Sequence, residues 1–242
     1  MSHPDFATRV LKARGTPARA CSRRAARALA LFGLPDGPRP GMTDRDRLAL
    51  AQRIAENTPP ASVTFITGPS GGGKSRLART LQAVLDARED APVVVPRPER
   101  ASPLFRPGAS VIDLLPGPVG HALAALAGAG LGEARLIAEP VEALSDGQRA
   151  RLLLARAMLA SRASGGWVLA DEFCTHLDTP TARSVCRAMA RWARRERRRL
   201  VCVSARDELL EALSPEGLIW IDLDQPPLVL LPEKDHARTH PA

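Results

Sequence analysis

One eight-residue segment, Gly68-Pro-Ser-Gly-Gly-Gly-Lys74-Ser75, constrains the fold of this chain more than any other feature. It matches the pattern G-x-x-x-x-G-K-[ST], in which glycines let the backbone approach phosphate oxygens without a Cβ clash. The run before it, Ser62–Thr67, is apolar and rich in β-branched residues, which predicts a buried strand. Leucines recur at helical spacing from Lys74 to about Ala87. We therefore expect a strand, a glycine-rich turn and a helix whose N-terminus faces a bound anion.

The side chains of this segment predict a site for a nucleoside triphosphate and Mg²⁺. The Lys74 ammonium group would contact β- and γ-phosphate oxygens, and the Ser75 hydroxyl would be a ligand of Mg²⁺. An ordinary glycine-rich turn is the alternative interpretation, but the predicted strand and helix on either side favour the phosphate site. The residues expected around the nucleotide are Gly68, Pro69, Ser70, Gly71, Gly72, Gly73, Lys74, Ser75 and Arg76.

A second apolar run ends in two carboxylates. Trp167–Ala170 predicts a buried strand, and Asp171 and Glu172 follow it directly. Parallel sheets bind ligands at the carboxyl ends of their strands. We expect Asp171 to hold Mg²⁺, directly or through water, and Glu172 to polarise an attacking water molecule. A pair of surface acidic residues is the alternative interpretation.

A third motif, Leu144-Ser-Asp-Gly-Gln148, lies between the other two. The residues that follow it have one apolar face and predict a helix from Arg149 to about Ala160. Ser145 and the Gly147 amide would then lie at a helix N-terminus, which is a second predicted anion site.

With these three motifs in this order, the chain resembles the ATP-binding cassette (ABC) ATPases, whose signature motif is similar to LSGGQ. The resemblance covers about residues 61–222 and departs at Asp146, where the family has glycine. It implies an α/β P-loop NTPase fold, with a doubly wound, mainly parallel sheet and a small helical subdomain. It also implies a head-to-tail homodimer in which each ATP lies between Lys74 of one protomer and Ser145 of its partner. The other implied nucleotide contacts are Gly147, Gln148 and, in the loop after the carboxylates, Asp178.

Two residues that the family uses are absent from their usual places. Residues 95–100 stand where the family has a glutamine-containing loop, and they contain no glutamine. After the apolar run Leu200–Val203 the family has a histidine, whereas this chain has Ser-Ala-Arg206. Arg206 is the candidate substitute, which makes Glu172, Lys74 and Arg206 the expected catalytic residues. Without the glutamine and the histidine we expect firm binding of Mg²⁺·ATP and slow hydrolysis.

The rest of the sequence agrees with an α/β fold. Apolar runs that alternate with helical patterns begin near Val63, Val93, Trp167, Leu200 and Leu218. This alternation predicts a mainly parallel, doubly wound sheet. The expected domains are a basic N-terminal arm at 1–41, an ABC-type ATPase domain at 42–232 with a reduced helical subdomain at about 96–143, and a disordered tail at 233–242.

Composition indicates the compartment. No apolar run approaches the roughly twenty residues that a membrane-spanning helix needs, and no signal-peptide core is present, so we expect a cytoplasmic protein. The four cysteines lack paired C-x-x-C spacing and are expected to be reduced thiols, mostly buried: Cys21, Cys174, Cys186 and Cys202.

Arginine accounts for nearly all of the net charge of +8. One cluster lies in the N-terminal arm, and a second forms a stripe along a helix predicted from Thr181 to Arg199, opposite an apolar face. Such a stripe can neutralise nucleic-acid phosphates, although a solvated charged face is the commoner meaning. The stripe consists of Arg183, Arg187, Arg191, Arg194 and Arg198.

The sequence therefore predicts an ABC-class ATPase that dimerises through Mg²⁺·ATP and couples ATP occupancy to an unknown partner. Its LSDGQ signature is similar to that of a soluble, non-transporter branch of the family. An ATP-binding subunit of an ABC transporter is the second possibility, and the short helical subdomain without its glutamine argues against it. A nucleotide-gated module that binds nucleic acid or the ribosome is the third.

Overall fold

The computed structural model describes residues 42–97, 101, 105–162, 166–223 and 225–232. The predicted N-terminal arm, the predicted tail and Cys21 lie outside these residues.

A six-stranded sheet forms the centre of the described fold, with the strand order β2-β3-β4-β1-β5-β6. The first five of these neighbouring strands are parallel, and β6 runs antiparallel to β5 at one edge. All five apolar runs identified in the sequence form strands, so the predicted mainly parallel sheet is confirmed. The strands are β1 Ser62–Thr67, β2 Val93–Val95, β3 Trp167–Asp171, β4 Arg199–Val203, β5 Gly217–Trp220 and β6 Leu228–Leu230.

Helices pack on both faces of the sheet because alternate strand residues point to opposite sides. In β3, Val168 and Ala170 join one apolar cluster, and Trp167 and Leu169 join the other. The first cluster includes residues of α3, α5, α6 and α7, and the second includes residues of α1 and α2. These helices are α1 Asp44–Asn57, α2 Lys74–Asp86, α3 Val119–Gly128, α4 Ala134–Ile137, α5 Asp146–Ala160, α6 Thr179–Arg195 and α7 Leu210–Leu213.

Strand register brings the predicted motifs to one edge of the sheet. Val203 of β4 pairs with Ile66 of β1 on one side and with Asp171 of β3 on the other. The carboxyl ends of β1, β3 and β4 therefore lie side by side at one edge of the sheet. Ligands of open α/β sheets bind at this carboxyl edge.

The basic helix α6 ends earlier than the sequence pattern predicts. It begins after Asp178, whose side chain accepts a hydrogen bond from the Thr181 amide, and it ends at Arg195. Arg197 then adopts a φ of +54° and reverses the chain into β4. Residues 195–199 contain neither glycine nor proline, so the local sequence does not predict this helix end.

The early helix end divides the predicted arginine stripe. Arg198 lies outside the helix and donates to the Ser161 carbonyl oxygen at 2.8 Å. Arg194 forms an ion pair with Glu216 at 2.8 Å. The three exposed members are Arg183, Arg187 and Arg191.

The segment predicted to hold the helical subdomain contains mostly short elements. Within its described part are α3, α4 and 3-10 turns at Ile112–Leu114 and Val141–Ala143. Of these elements, α4 is a single helical turn. Among the described residues, no helix is both long and apolar enough to cross a bilayer.

Candidate nucleotide-binding site

The glycine-rich loop between β1 and α2 follows a path that only glycine tolerates at its first position. Gly68 has a φ of +124°, and a Cβ added there would lie 2.0 Å from the backbone oxygen of Ile221. Gly71 and Gly73 also have positive φ values, of +86° and +94°. Gly73 is the N-cap of α2, so the helix begins at Lys74 as predicted. The loop therefore has little bulk on the side where phosphate groups would approach.

Lys74 lies inside this loop. Its ammonium group donates to the carbonyl oxygens of Gly68 and Pro69 at 2.8 and 2.7 Å. Only 9% of the residue is exposed. Burial lowers the pKa of Lys74, and the negative charge of Asp171 opposes this change in part. Two loop carbonyl oxygens thus hold the ammonium group in place beside the loop.

The two predicted Mg²⁺ ligands are in contact. The Ser75 hydroxyl donates to a carboxylate oxygen of Asp171 at 3.0 Å. Asp171 ends β3, and the same oxygen accepts the Glu172 amide at 3.1 Å. Glu172 has a φ of +57°, which turns the chain sharply after the strand. The strand-end carboxylates and the loop hydroxyl therefore share one small polar cluster.

Arg97 also belongs to this cluster, and it was not among the predicted site residues. One of its terminal nitrogens lies 2.6 Å from Asp171 Oδ2 and 3.3 Å from Ser75 Oγ. The other lies 2.5 Å from Glu172 Oε1. The only signal in the sequence was the position of residues 95–100, which replace the family's glutamine loop. Nothing in the sequence showed that an arginine there would reach both carboxylates.

A cavity of about 360 Å³ opens over the cluster. It brings together most of the predicted phosphate loop and both carboxylates, whereas Gly68, Pro69 and Gly72 support the loop from behind. The lining residues are Ser70, Gly71, Gly73, Lys74, Ser75, Arg76, Asp171, Glu172, Thr175, Val203, Ser204 and Ala205.

These residues fit a triphosphate with a divalent cation. The loop combines the N-terminus of α2 with the Lys74 ammonium group, which together favour anionic phosphate oxygens. The Ser75 and Asp171 oxygens are hard ligands of the kind that Mg²⁺ takes alongside substrate phosphates and water. Cis ligands at about 2.1 Å from an octahedral Mg²⁺ are about 3.0 Å apart, which is the separation of these two oxygens.

Arg206, the predicted substitute for the missing histidine, does not line the cavity. Its guanidinium group donates to the carbonyl oxygens of Cys174 and Leu177 at 2.9 and 2.6 Å, and to the Thr179 hydroxyl at 2.9 Å. It also forms an ion pair with Glu208 at 2.8 Å. These contacts hold the loop between β3 and α6, and the substitution of Arg206 for the family's histidine stays a prediction.

The signature motif begins α5 at a different place from the cavity. Ser145 and Gln148 form a capping box, in which the Ser145 hydroxyl accepts the Gln148 amide at 3.2 Å and the Gln148 side chain accepts the Ser145 amide at 2.8 Å. A Cβ on Gly147 would lie 3.1 Å from the His176 carbonyl oxygen. Ser145, Gly147, Gln148 and Asp178 do not line the cavity of their own chain. Asp178 instead caps α6, and the Thr181 amide lowers its pKa.

The cysteines behind the site are buried and free: Cys174, Cys186 and Cys202. A hydrogen bond with Cys186 and burial raise the pKa of the Cys174 thiol. Burial raises the pKa of Cys202. Both thiols are therefore protonated at neutral pH and unreactive, as structural cysteines are.

Comparisons with solved structures identify the fold. The dimeric ATP-binding cassette MJ0796, solved in a post-hydrolysis state with ADP and Pi, is 18% identical over 72% of this chain and 88% of its own, with a TM-score of 0.55. CbiO1 from Clostridium perfringens, part of the ABC transporter complex cbiONQ, is 17% identical over 71% of this chain and 76% of its own, with a TM-score of 0.54. The predicted ABC-type P-loop NTPase fold is thereby confirmed. No protein-family model and no curated protein sequence matches the chain.

Proposed function

We propose that this chain is an ABC-class ATPase that binds Mg²⁺·ATP, hydrolyses it slowly and dimerises through a composite ATP site. The observation that carries the proposal is the convergence of Lys74, Ser75, Asp171 and Glu172 on one cavity at the carboxyl edge of β1 and β3. These residues come from segments about a hundred positions apart. Together they supply an ammonium group for phosphate oxygens, two oxygen ligands for Mg²⁺ and a carboxylate for a general base.

The chain's own residues account for binding. The Lys74 ammonium group would exchange the carbonyl oxygens of Gly68 and Pro69 for phosphate oxygens. The negative charge of the phosphate would offset the free-energy cost of burying the ammonium group. The amides at the start of α2 would hold the β-phosphate. Ser75 and Asp171 would hold Mg²⁺, which supplies neutralisation of charge on the phosphate oxygens.

Glu172 is the proposed general base. Its carboxylate lines the same cavity as Lys74 and is 40% exposed, so water has access to it. A carboxylate next to the cavity can accept the proton of a water molecule that attacks the γ-phosphorus. Slow turnover is proposed because Ser204 and Ala205 line the cavity where the family has histidine, while Arg206 is engaged by the neighbouring loop.

Dimerisation follows from the position of the signature motif. The N-terminus of α5 has the geometry of an anion site, yet it does not line the cavity of its own chain. A second copy, placed head to tail, would bring its Ser145 and Gly147 to the triphosphate. The similar fold of the dimeric cassette MJ0796 supports this arrangement.

A role as the ATP-binding subunit of a transporter is a second candidate, favoured by the fold it shares with CbiO1 of the cbiONQ transporter complex. Against it stands the absence of glutamine from residues 95–100. We favour a soluble, cytoplasmic ATPase outside transport. Binding of nucleic acid rests only on the exposed Arg183, Arg187 and Arg191 and is the weakest alternative.

Phosphate release from the purified chain tests the ATPase proposal. We expect slow, Mg²⁺-dependent release that Glu172→Gln abolishes while ATP binding is retained. Glu211→Gln, which changes an exposed carboxylate on α7, is the matched control and should leave the rate unchanged. A wild-type rate equal to the enzyme-free rate, or a Glu172→Gln rate equal to the wild-type rate, would refute the proposal.

A further inference from the structure

We infer that Arg97 is an internal competitor of the divalent cation, and that its guanidinium group must leave Asp171 and Glu172 before Mg²⁺·ATP can occupy the site. The inference rests on the proposed function and concerns the regulation of the same site. Arg97 stands in the segment where the sequence resemblance places a glutamine.

The sheet places Arg97 beside the carboxylates. Val95 of β2 pairs with Ala170 of β3, and the two strands run parallel. The two chains therefore leave the sheet side by side, and the Arg97 side chain lies within contact of Asp171 and Glu172. Pro96 carries no amide hydrogen and restricts the residue before it, Val95, to extended backbone angles.

The guanidinium group contacts the side chains that would hold a cation. Its two terminal nitrogens lie 2.6 Å from Asp171 Oδ2 and 2.5 Å from Glu172 Oε1, and one of them is 3.3 Å from the Ser75 hydroxyl oxygen. The other Asp171 oxygen, Oδ1, accepts the Ser75 hydroxyl. A Mg²⁺ ion held by Ser75 and Asp171 would lie about 2.1 Å from each oxygen. It would then lie next to a guanidinium group of like charge, so both cations cannot keep their contacts.

The charges of the neighbouring groups favour this contact. Two carboxylates converge there, and Lys74 is engaged by the loop carbonyl oxygens. Arg97 offsets one of the two negative charges, and its planar fork matches two carboxylates better than an ammonium group would. One oxygen of the proposed general base Glu172 is thereby ion-paired with Arg97.

The side chain is able to move. Arg97 is 30% exposed, and Asp171 and Glu172 are 22% and 40% exposed, so water can solvate the separated charges. An ion pair at this exposure is weak enough to be displaced by a divalent cation bound to a triphosphate. Arg97 therefore sets a threshold of Mg²⁺ concentration instead of blocking the site outright.

Mg²⁺ titrations of nucleotide binding test this inference. Binding of a fluorescent ATP analogue at fixed concentration is followed while Mg²⁺ is raised, for the full chain and for Arg97→Gln. We expect half-saturation at about tenfold lower Mg²⁺ in the variant, because the competent state no longer requires displacement of the guanidinium group. Arg97→Lys, which keeps the charge but not the fork, should lie between the two.

Arg79→Gln is the matched control. Arg79 is exposed and donates to the Ser75 backbone oxygen at 3.1 Å, so its loss removes a nearby positive charge that does not touch the carboxylates. It should leave the Mg²⁺ half-saturation unchanged. Thermal melting without nucleotide verifies that each variant is folded.

The outcomes separate the two proposals. No binding by the wild-type chain at any Mg²⁺ concentration would overturn the proposed function itself. Binding by the wild-type chain with equal Mg²⁺ half-saturation in Arg97→Gln would overturn the competitor role alone. A higher Mg²⁺ requirement in Arg97→Gln would also overturn it, because Arg97 would then be a ligand that supports binding.

Discussion

The Ser75 hydroxyl lies 3.0 Å from a carboxylate oxygen of Asp171, although 96 positions separate the two residues in the chain. The contact joins the helix after the glycine-rich loop to the end of β3. It forms because β1 and β3 flank β4 with their carboxyl ends level. This relationship turns two separate sequence motifs into one site.

Dimerisation should depend on Ser145 beyond its role as a helix cap. Ser145→Ala removes a capping hydroxyl and should lower the free energy of unfolding by about 1 kcal/mol. We expect Glu172→Gln to accumulate an ATP-bound dimer, because it should bind Mg²⁺·ATP without hydrolysing it. If the Ser145 hydroxyl also contacts the partner's ATP, Ser145→Ala should abolish that dimer. Light scattering of the double variant gives the measurement.

The matched control for that change is Thr43→Ala. Thr43 forms the capping box of α1 and does not line the cavity. Thr43→Ala should lower the free energy of unfolding by a similar amount and leave the ATP-dependent dimer intact. Equal dimerisation of the Ser145→Ala and Thr43→Ala proteins would remove Ser145 from the composite site.

The affinity for ATP should fall at alkaline pH. Burial lowers the pKa of Lys74 in the nucleotide-free protein, whereas phosphate oxygens would favour its charged form. Above the lowered pKa, binding must take up a proton, so affinity declines by up to about tenfold per pH unit. The free energy of unfolding should instead rise with pH. The penalty for burying the charged Lys74 is fully present below the folded-state pKa and is relieved as the pH rises above it.

Equilibrium binding of ATP between neutral and alkaline pH measures this decline. Lys74→Arg remains charged throughout the range and should bind more weakly at neutral pH without the alkaline fall. The same alkaline fall in both proteins would assign it to a group other than Lys74.

Gly68 should be the least replaceable glycine of the loop. Gly68→Ala places a Cβ 2.0 Å from the Ile221 backbone oxygen at a φ of +124°, so both a clash and backbone strain oppose it. Gly73→Ala meets nothing within 4 Å, so only its φ of +94° opposes it, at about 1–3 kcal/mol. Denaturant unfolding should rank Gly68→Ala as clearly more destabilising than Gly73→Ala. The reverse order would contradict the close approach of Ile221.

Arg206→Ala should act on the loop after Glu172 and not on phosphate contact. It removes the donors to Cys174 and Leu177 and should destabilise the fold by about 2–3 kcal/mol, measured by denaturant unfolding. Binding of Mg²⁺·ATP below the unfolding transition should persist. Loss of ATP binding with unchanged stability would instead assign Arg206 a direct role in the ATP site, as the sequence predicts.

The sequence was most informative where a local pattern determines the structure. The strand Ser62–Thr67 and the start of α2 at Lys74 agree with prediction, because β-branched runs and glycine-rich turns act over a few residues. Asp171 was placed correctly beside Ser75, since the carboxyl ends of parallel strands meet at one edge.

The remaining features depend on contacts between distant segments. Arg97 reaches Asp171 only through the register of β2 against β3, which no local pattern reveals. Arg206 was expected in the site from its position after β4, but the carbonyl oxygens of the adjacent loop compete for its guanidinium group. The end of α6 at Arg195 depends on a positive φ at Arg197, a residue that gives no such signal.

Calorimetry of ATP binding to the full chain with and without Mg²⁺, compared with Lys74→Ala, tests whether the glycine-rich loop and Lys74 hold the triphosphate. We expect saturable binding of one ATP per chain that is strengthened by Mg²⁺ and lost in Lys74→Ala, with unchanged thermal melting of the nucleotide-free variant. Equal ATP binding by wild-type and Lys74→Ala proteins, or no binding by the folded wild-type chain, would contradict it.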